Sequence, residues 1–207
     1  MMRIESVSSQ PDRAARYKVC FEDGSVMRLY RQTVQDFGLY SGLEMDDDTY
    51  AKLKIAAGQM SAKMRAVRIV GASNVSQSDL QQRLIQKGED PAHAKQAVDW
   101  LTQMDLLDDR KTAQQIVDKC ISKGYGLARA KQALYEKRIP KSYWQEALED
   151  YPEQTEKIAE FLRSHLGDEY NDKELKRAVD ALLRRGHSYA QIRVALSSLN
   201  ADLTEDI

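Results

Sequence analysis

The sequence predicts a mainly α protein: tandem three-helix repeats in an elongated array, preceded by a small N-terminal β-hairpin/α domain. Two observations predict it. Three stretches share one pattern: LIQKGEDPAHAKQAV at 84–98, LYEKRIPKSYWQEAL at 134–148 and LLRRGHSYAQIRVAL at 182–196. Before residue 60 the pattern is different, with two alternating runs around an Asp-Gly pair. The expected parts are an N-terminal extension over 1–60 and repeats over 61–107, 108–152 and 153–207.

The extension comes first. Tyr17, Val19 and Phe21 alternate with polar positions, Asp23-Gly24 comes next, and Ser25 to Tyr30 forms a second run. Two such runs around Asp-Gly predict a hairpin with a type I′ turn, whose central residues both need positive φ. A lone hairpin is marginal in water, so further elements must pack on it. Ile4 to Val7 suits a third strand. A short helix ending near Phe37 suits the cover, since Gly38 and Gly42 punctuate the chain just beyond it. In Glu44-Met45-Asp46-Asp47-Asp48 the carboxylates suit a helix start: Asp46 as cap, the next two in the first turn. Tyr50, Leu53, Ala57 and Met60 continue at near-helical spacing. Gly58 leaves open whether that helix runs on.

The repeats come after it. A shift of residues 84–98 by 50 or by 98 brings Leu84 onto Leu134 and Leu182. Ala94, Ala97, Val98 and Leu101 fall on Trp144, Ala147, Leu148 and Tyr151, and then on Ile192, Ala195, Leu196 and Leu199. Each quartet has the i, i+3, i+4, i+7 spacing of one helical stripe. Gly88 and Gly186 suit the left-handed residue just after a helix, and Arg138 breaks the pattern there. Pro91, Pro140 and Ser188 sit near the next helix start. A helix precedes each pair, over Lys63–Gly71, Arg110–Ser122 and Glu156–Leu166. Within the last, His165 lies on the apolar stripe and reads as a packing residue. A period of about 45–50 residues marks stacked helical units that share their cores.

Composition narrows the function classes. The chain of 207 residues is 30% charged and 7% aromatic, with formal net charge −1, so it is no polybasic nucleic-acid binder overall. The start, MMRIESVSSQ, lacks the apolar core of a secretory signal. No apolar run approaches the ~20 residues of a membrane span. Cys20 and Cys120 have no Cys or His at metal-ligand spacing and read as buried, reduced thiols of a cytoplasmic protein.

Several motifs, in order, resemble the RecX family of RecA regulators. They are Leu107-Asp108-Asp109 with Ala113; Gly124-Tyr125-Gly126 with Ala130 to Leu134 and Lys137-Arg138-Ile139; and Leu183-Arg184-Arg185-Gly186-His187-Ser188. The Asp23-Gly24 hairpin and the Leu39-x-x-Gly42-x-x-Met45 run resemble the extension of its longer members. Three departures stand out. Ser73-Asn74-Val75-Ser76 lacks the family's Arg, Arg138 replaces a Gly, and His187 replaces an aromatic, which weakens the expected packing of that joint. The resemblance implies a monomeric cytoplasmic protein, acting in homologous recombination, DNA repair and the SOS response. It would bind the RecA filament on single-stranded DNA, and also double-stranded DNA, and limit ATPase and strand exchange. It implies no catalysis, cofactor, metal or membrane partner.

Charge is patterned. Residues 119–145 carry seven basic residues and one acid, Glu136; residues 173–193 carry six basic residues and two acids. These segments suit phosphates or an acidic filament surface, although a solvated helical face has the same composition. The expected contacts are Lys87, Lys123, Tyr125, Arg129, Lys131, Lys137, Arg138, Arg184 and Arg185. Tyr125, between two glycines, suits either base stacking or a core. Asp108-Asp109 could be a nuclease's metal-binding pair. Adjacent helical residues do not face one site, however, so Asp108 reads as a cap.

Overall fold

The alternation in the first thirty residues becomes an antiparallel sheet. In the computed structural model, which describes residues 1–167 and 170–205, strands β1 (Met2–Val7), β2 (Arg16–Phe21), β3 (Val26–Tyr30) and β4 (Glu44–Met45) lie in the order β3-β2-β1-β4. β4 has only two residues, too few to leave a periodic trace. The β2–β3 turn differs from the expected type I′. Only Gly24 has positive φ (82°), Gly24 N–H bonds to Phe21 C=O, and Phe21 N–H bonds to Ser25 C=O. This is a three-residue loop with Gly at the left-handed bulge position. The Asp23 carboxylate accepts Ser25 N–H at 2.9 Å across this loop.

One face of the sheet is covered. Ile4, Val19, Phe21, Leu29, Leu39, Met45 and Leu53 form its core, behind helix α1 (Arg31–Asp36) and the start of α2 (Asp47–Ala72). Asp46 caps α2 by accepting Thr49 N–H at 2.7 Å. α2 does not stop near Gly58; its 26 residues continue through the expected Lys63–Gly71 helix. A Cβ on Gly58 would lie 2.5 Å from the His93 ring, so the glycine makes room for a neighbouring helix. Leu53 serves the sheet core, whereas Ala62 and Ala66 serve a second core with α3 (Gln77–Gln86) and α4 (Pro91–Gln103). Cys20 is only half-buried on the other face of the sheet, because β2 alternates Val19 and Phe21 inward.

The chain divides into two compact units, Met1–Leu107 and a second that begins at Asp108. In the second, α5 (Asp109–Ser122) and α6 (Leu127–Glu136) share a core of Ala113, Val117, Leu134, Ile139 and Ala147. Their third helix is shorter than the stripe predicts: a 3₁₀ turn (Lys141–Tyr143) and the five residues of α7 (Trp144–Leu148). Pro152 disfavours helix at Tyr151, and the Trp144 indole N–H bonds to Ile139 C=O at 2.9 Å. Helices α8 (Thr155–His165), α9 (Asp172–Arg184) and α10 (Tyr189–Glu205) enclose Ile158, Leu162, Ala178, Leu182, Ile192 and Ala195. Leu84, Leu134 and Leu182 are all buried in their cores. His165 is exposed at the core's edge, stacked on Phe161 with centroids 3.8 Å apart.

Candidate functional site

The basic residues that recur in the sequence sit on recurrent backbone geometry. After α3, α6 and α9, the chain closes each helix with the same pair of bonds. Gly88, Arg138 and Gly186 N–H return to Ile85, Tyr135 and Leu183 C=O; Glu89, Ile139 and His187 N–H return to Leu84, Leu134 and Leu182 C=O. This is the Schellman closure, which needs a left-handed residue after the cap. Gly88, Arg138 and Gly186 supply it with φ of 87°, 53° and 89°. Arg138 therefore departs from the repeat in residue type but not in conformation. The cap positions before them are Lys87, Lys137 and Arg185, cations at the negative end of each helix dipole.

An apolar residue recurs two positions before each cation. Ile85, Tyr135 and Leu183 come directly after the buried leucines and are 38%, 67% and 42% exposed. They lie outside the buried stripe that defines the repeat, although they align under the same shifts. Their signal is an apolar residue next to the stripe, where helical periodicity puts a polar one.

In the second unit two turns meet back to back. Gly126 N–H bonds to Arg185 C=O at 2.9 Å and Ala128 N–H to Gly186 C=O at 3.2 Å. A Cβ on Gly126 would lie 2.1 Å from Gly186 oxygen, and one on Gly186 would lie 2.3 Å from Arg129 nitrogen. His187, the expected weak point, lies within this joint. It is buried, and its Nε2 donates to Gly124 C=O at 3.0 Å. Its Nδ1 has no partner among the described residues. Burial holds the imidazole below its usual pKa, so it is neutral with the proton on Nε2.

This contact gathers part of the expected site. Lys123 lies over the Tyr125 ring at 6.0 Å, and Arg185 lies over Phe161 at 4.4 Å. Arg184 is the exposed neighbour of Arg185. Tyr125 is half-buried, and its carbonyl accepts the Tyr151 hydroxyl at 2.5 Å. Burial pushes the Tyr151 phenol up to about 12. Arg129 is half-buried and pairs with Glu136 at 3.0 Å. Lys131 is exposed along α6. Lys137 and Arg138 stand at the far end of that helix, about 15 Å of rise away. Lys87 belongs to the first unit. Within the second unit the expected residues thus fall into joint-sized groups.

The acidic pair resolves as capping. The Asp108 carboxylate accepts Arg110 N–H at 2.9 Å and Lys111 N–H at 3.1 Å, which with the Lys111 charge holds its pKa below the ordinary value. Asp109 is buried in the first turn. Cys120 is buried, and burial raises its thiol pKa despite nearby Arg129, Lys123 and Lys119. Among the described residues, no helix is long and apolar enough to cross a membrane.

No family model matches the chain. Over 152 residues, 72% of this chain and 98% of the relative, it is 30% identical to regulatory protein RecX of Vibrio campbellii. The chain belongs to the RecX family of regulatory proteins. Two RecX crystal structures share the fold. One matches with a TM-score of 0.65 over 95% of this chain and all of that one, at 18% identity. The other, RecX from Lactobacillus salivarius, matches with a TM-score of 0.60 over 70% of this chain and 99% of that one, at 20% identity. The helical repeats are thus a RecX fold.

Proposed function

We propose that this RecX protein is a non-enzymatic regulator of RecA. It binds, as a cytoplasmic monomer, to the RecA filament on single-stranded DNA, and lowers its ATP hydrolysis and strand exchange. The observation that carries this reading is the repeated pair of an exposed apolar side chain and a helix-end cation: Ile85 with Lys87, Tyr135 with Lys137, Leu183 with Arg185. Several like contact points on one chain suit a partner that itself repeats. Each helix end thus offers exposed apolar area and, separately, a charge that selects an acidic surface. Lys123, Tyr125, Arg129, Lys131, Arg138 and Arg184 complete the proposed contact set.

The test is ATP hydrolysis by the cognate RecA on single-stranded DNA at fixed salt, with and without the full chain. The expected result is a fall at substoichiometric protein. The Lys137→Glu/Arg138→Glu variant is expected to lose most of that effect while keeping its helical circular dichroism. Unchanged hydrolysis, with DNA binding retained, would replace this reading with a general DNA-binding helical protein that has no recombinase partner.

A further inference from the structure

The N-terminal sheet has a second, open face. On it Lys18 and Arg28 are direct cross-strand partners between β2 and β3, and both are exposed. Neighbours in this position lie about 5 Å apart, and like charges there repel. Among the described residues neither has a carboxylate partner. The next pair on the same face is Arg16 with Tyr30. Arg68 of α2 reaches the same edge, donating to the Tyr30 hydroxyl at 3.3 Å and to Ala14 C=O at 3.2 Å. Arg13 and Arg31 flank it, both exposed. The acid beside Arg16, Asp12, is occupied by that guanidinium at 2.9 Å and by two turn N–H groups.

A linear count hides this patch. Glu22 and Asp23 offset its charge in the sequence but lie at the β2–β3 turn, and the Asp23 carboxylate is taken up by Ser25. Register alone makes neighbours of cations ten residues apart.

We infer that this face is a binding site for the phosphodiester backbone of nucleic acid. The cations are spread along two paired strands and not gathered on one point, which suits a chain of phosphates better than one small anion. Val26, the large exposed apolar residue of β3, lies beside the turn, away from Arg16 and Tyr30. A protein interface would need an apolar centre, and a membrane-surface element would need side chains to insert. Tyr30 is half-buried and engaged by Arg68, so contact is with phosphates and is blind to sequence. This site uses none of the residues of the repeat joints and does not depend on RecA being the partner.

The experiment is fluorescence anisotropy of a labelled single-stranded oligodeoxynucleotide of mixed sequence with the full chain, at several salt concentrations. The Lys18→Glu/Arg28→Glu variant is expected to bind about tenfold more weakly at low salt. Its slope of log affinity on log salt should be shallower by about 1.4, the loss of two phosphate contacts on a single strand. The single variant Lys18→Glu turns a like-charged pair into an opposite one. It is expected to bind more weakly without a lower melting temperature, which separates binding from folding. Unchanged affinity and slope in the double variant would overturn the site. So would wild-type binding to polyglutamate, or to phosphatidylglycerol vesicles, as tight as to DNA. Failure of the ATPase test leaves these readings untouched, and their failure leaves that one untouched.

Discussion

The joints at Gly186 and at Arg138 occupy the same place in the repeat and the same region of backbone space, yet they are built for different ends. Gly186 is pressed against another turn: there is no room for a Cβ beside Arg129. Arg138 is exposed and carries a full side chain in a conformation that disfavours one. Gly88 is intermediate, left-handed like the others but with open space, nothing within 4 Å, where a Cβ would stand. One backbone motif thus serves as a packing device at Gly186, and at Arg138 as a mount for an exposed cation.

The largest expected effect tests the first half of that contrast. Gly186→Ala should cost about 3 kcal/mol in urea denaturation, since it combines left-handed strain with overlap against backbone. Gly88→Ala has only the strain and should cost about 1 kcal/mol. Equal losses would mean that the turn-to-turn contact adds nothing.

The sequence could not have announced this asymmetry. Both glycines look alike in their own stretches, and what separates them is Gly126, sixty residues from Gly186. Gly58 has the same lesson, since its role is fixed by His93 of another helix. What was legible is what periodicity encodes. The stripes through Leu84, Leu134 and Leu182, the alternation at Val19 and Phe21, and the cap at Asp46 all arise from local pattern. The candidate site was half legible. Its cations were visible as charge, while Ile85, Tyr135 and Leu183 were hidden by the assumption that apolar residues face inward. Lys18 and Arg28 needed strand register to become neighbours.

A smaller effect sharpens the account of the Gly186 joint through its neighbour His187. The unfolded imidazole titrates near 6.5, and the buried one lower. Between those values the unfolded chain binds more protons, so this group's contribution is full above about 6.5 and declines as pH falls through the window. His187→Phe removes the bond to Gly124 C=O and should cost about 1 kcal/mol at pH 7.5. Its deficit relative to wild type should shrink as pH is lowered to 5. A constant deficit across that range would show that the imidazole does not titrate on unfolding.

The smallest effect carries most information about function, because stability and binding should move in opposite directions. At Arg138 a glycine would relieve left-handed strain of about 1 kcal/mol, partly offset by the greater entropy of glycine in the unfolded chain. Arg138→Gly should therefore raise stability by about 0.5 kcal/mol. It should also give weaker inhibition of RecA ATP hydrolysis, because the side chain that leaves is one of the proposed contacts beside Tyr135 and Lys137. A variant that is more stable and equally active would make Arg138 a tolerated accident of the repeat. A variant that is more stable and less active would show that strain at this joint is retained for the cation it presents.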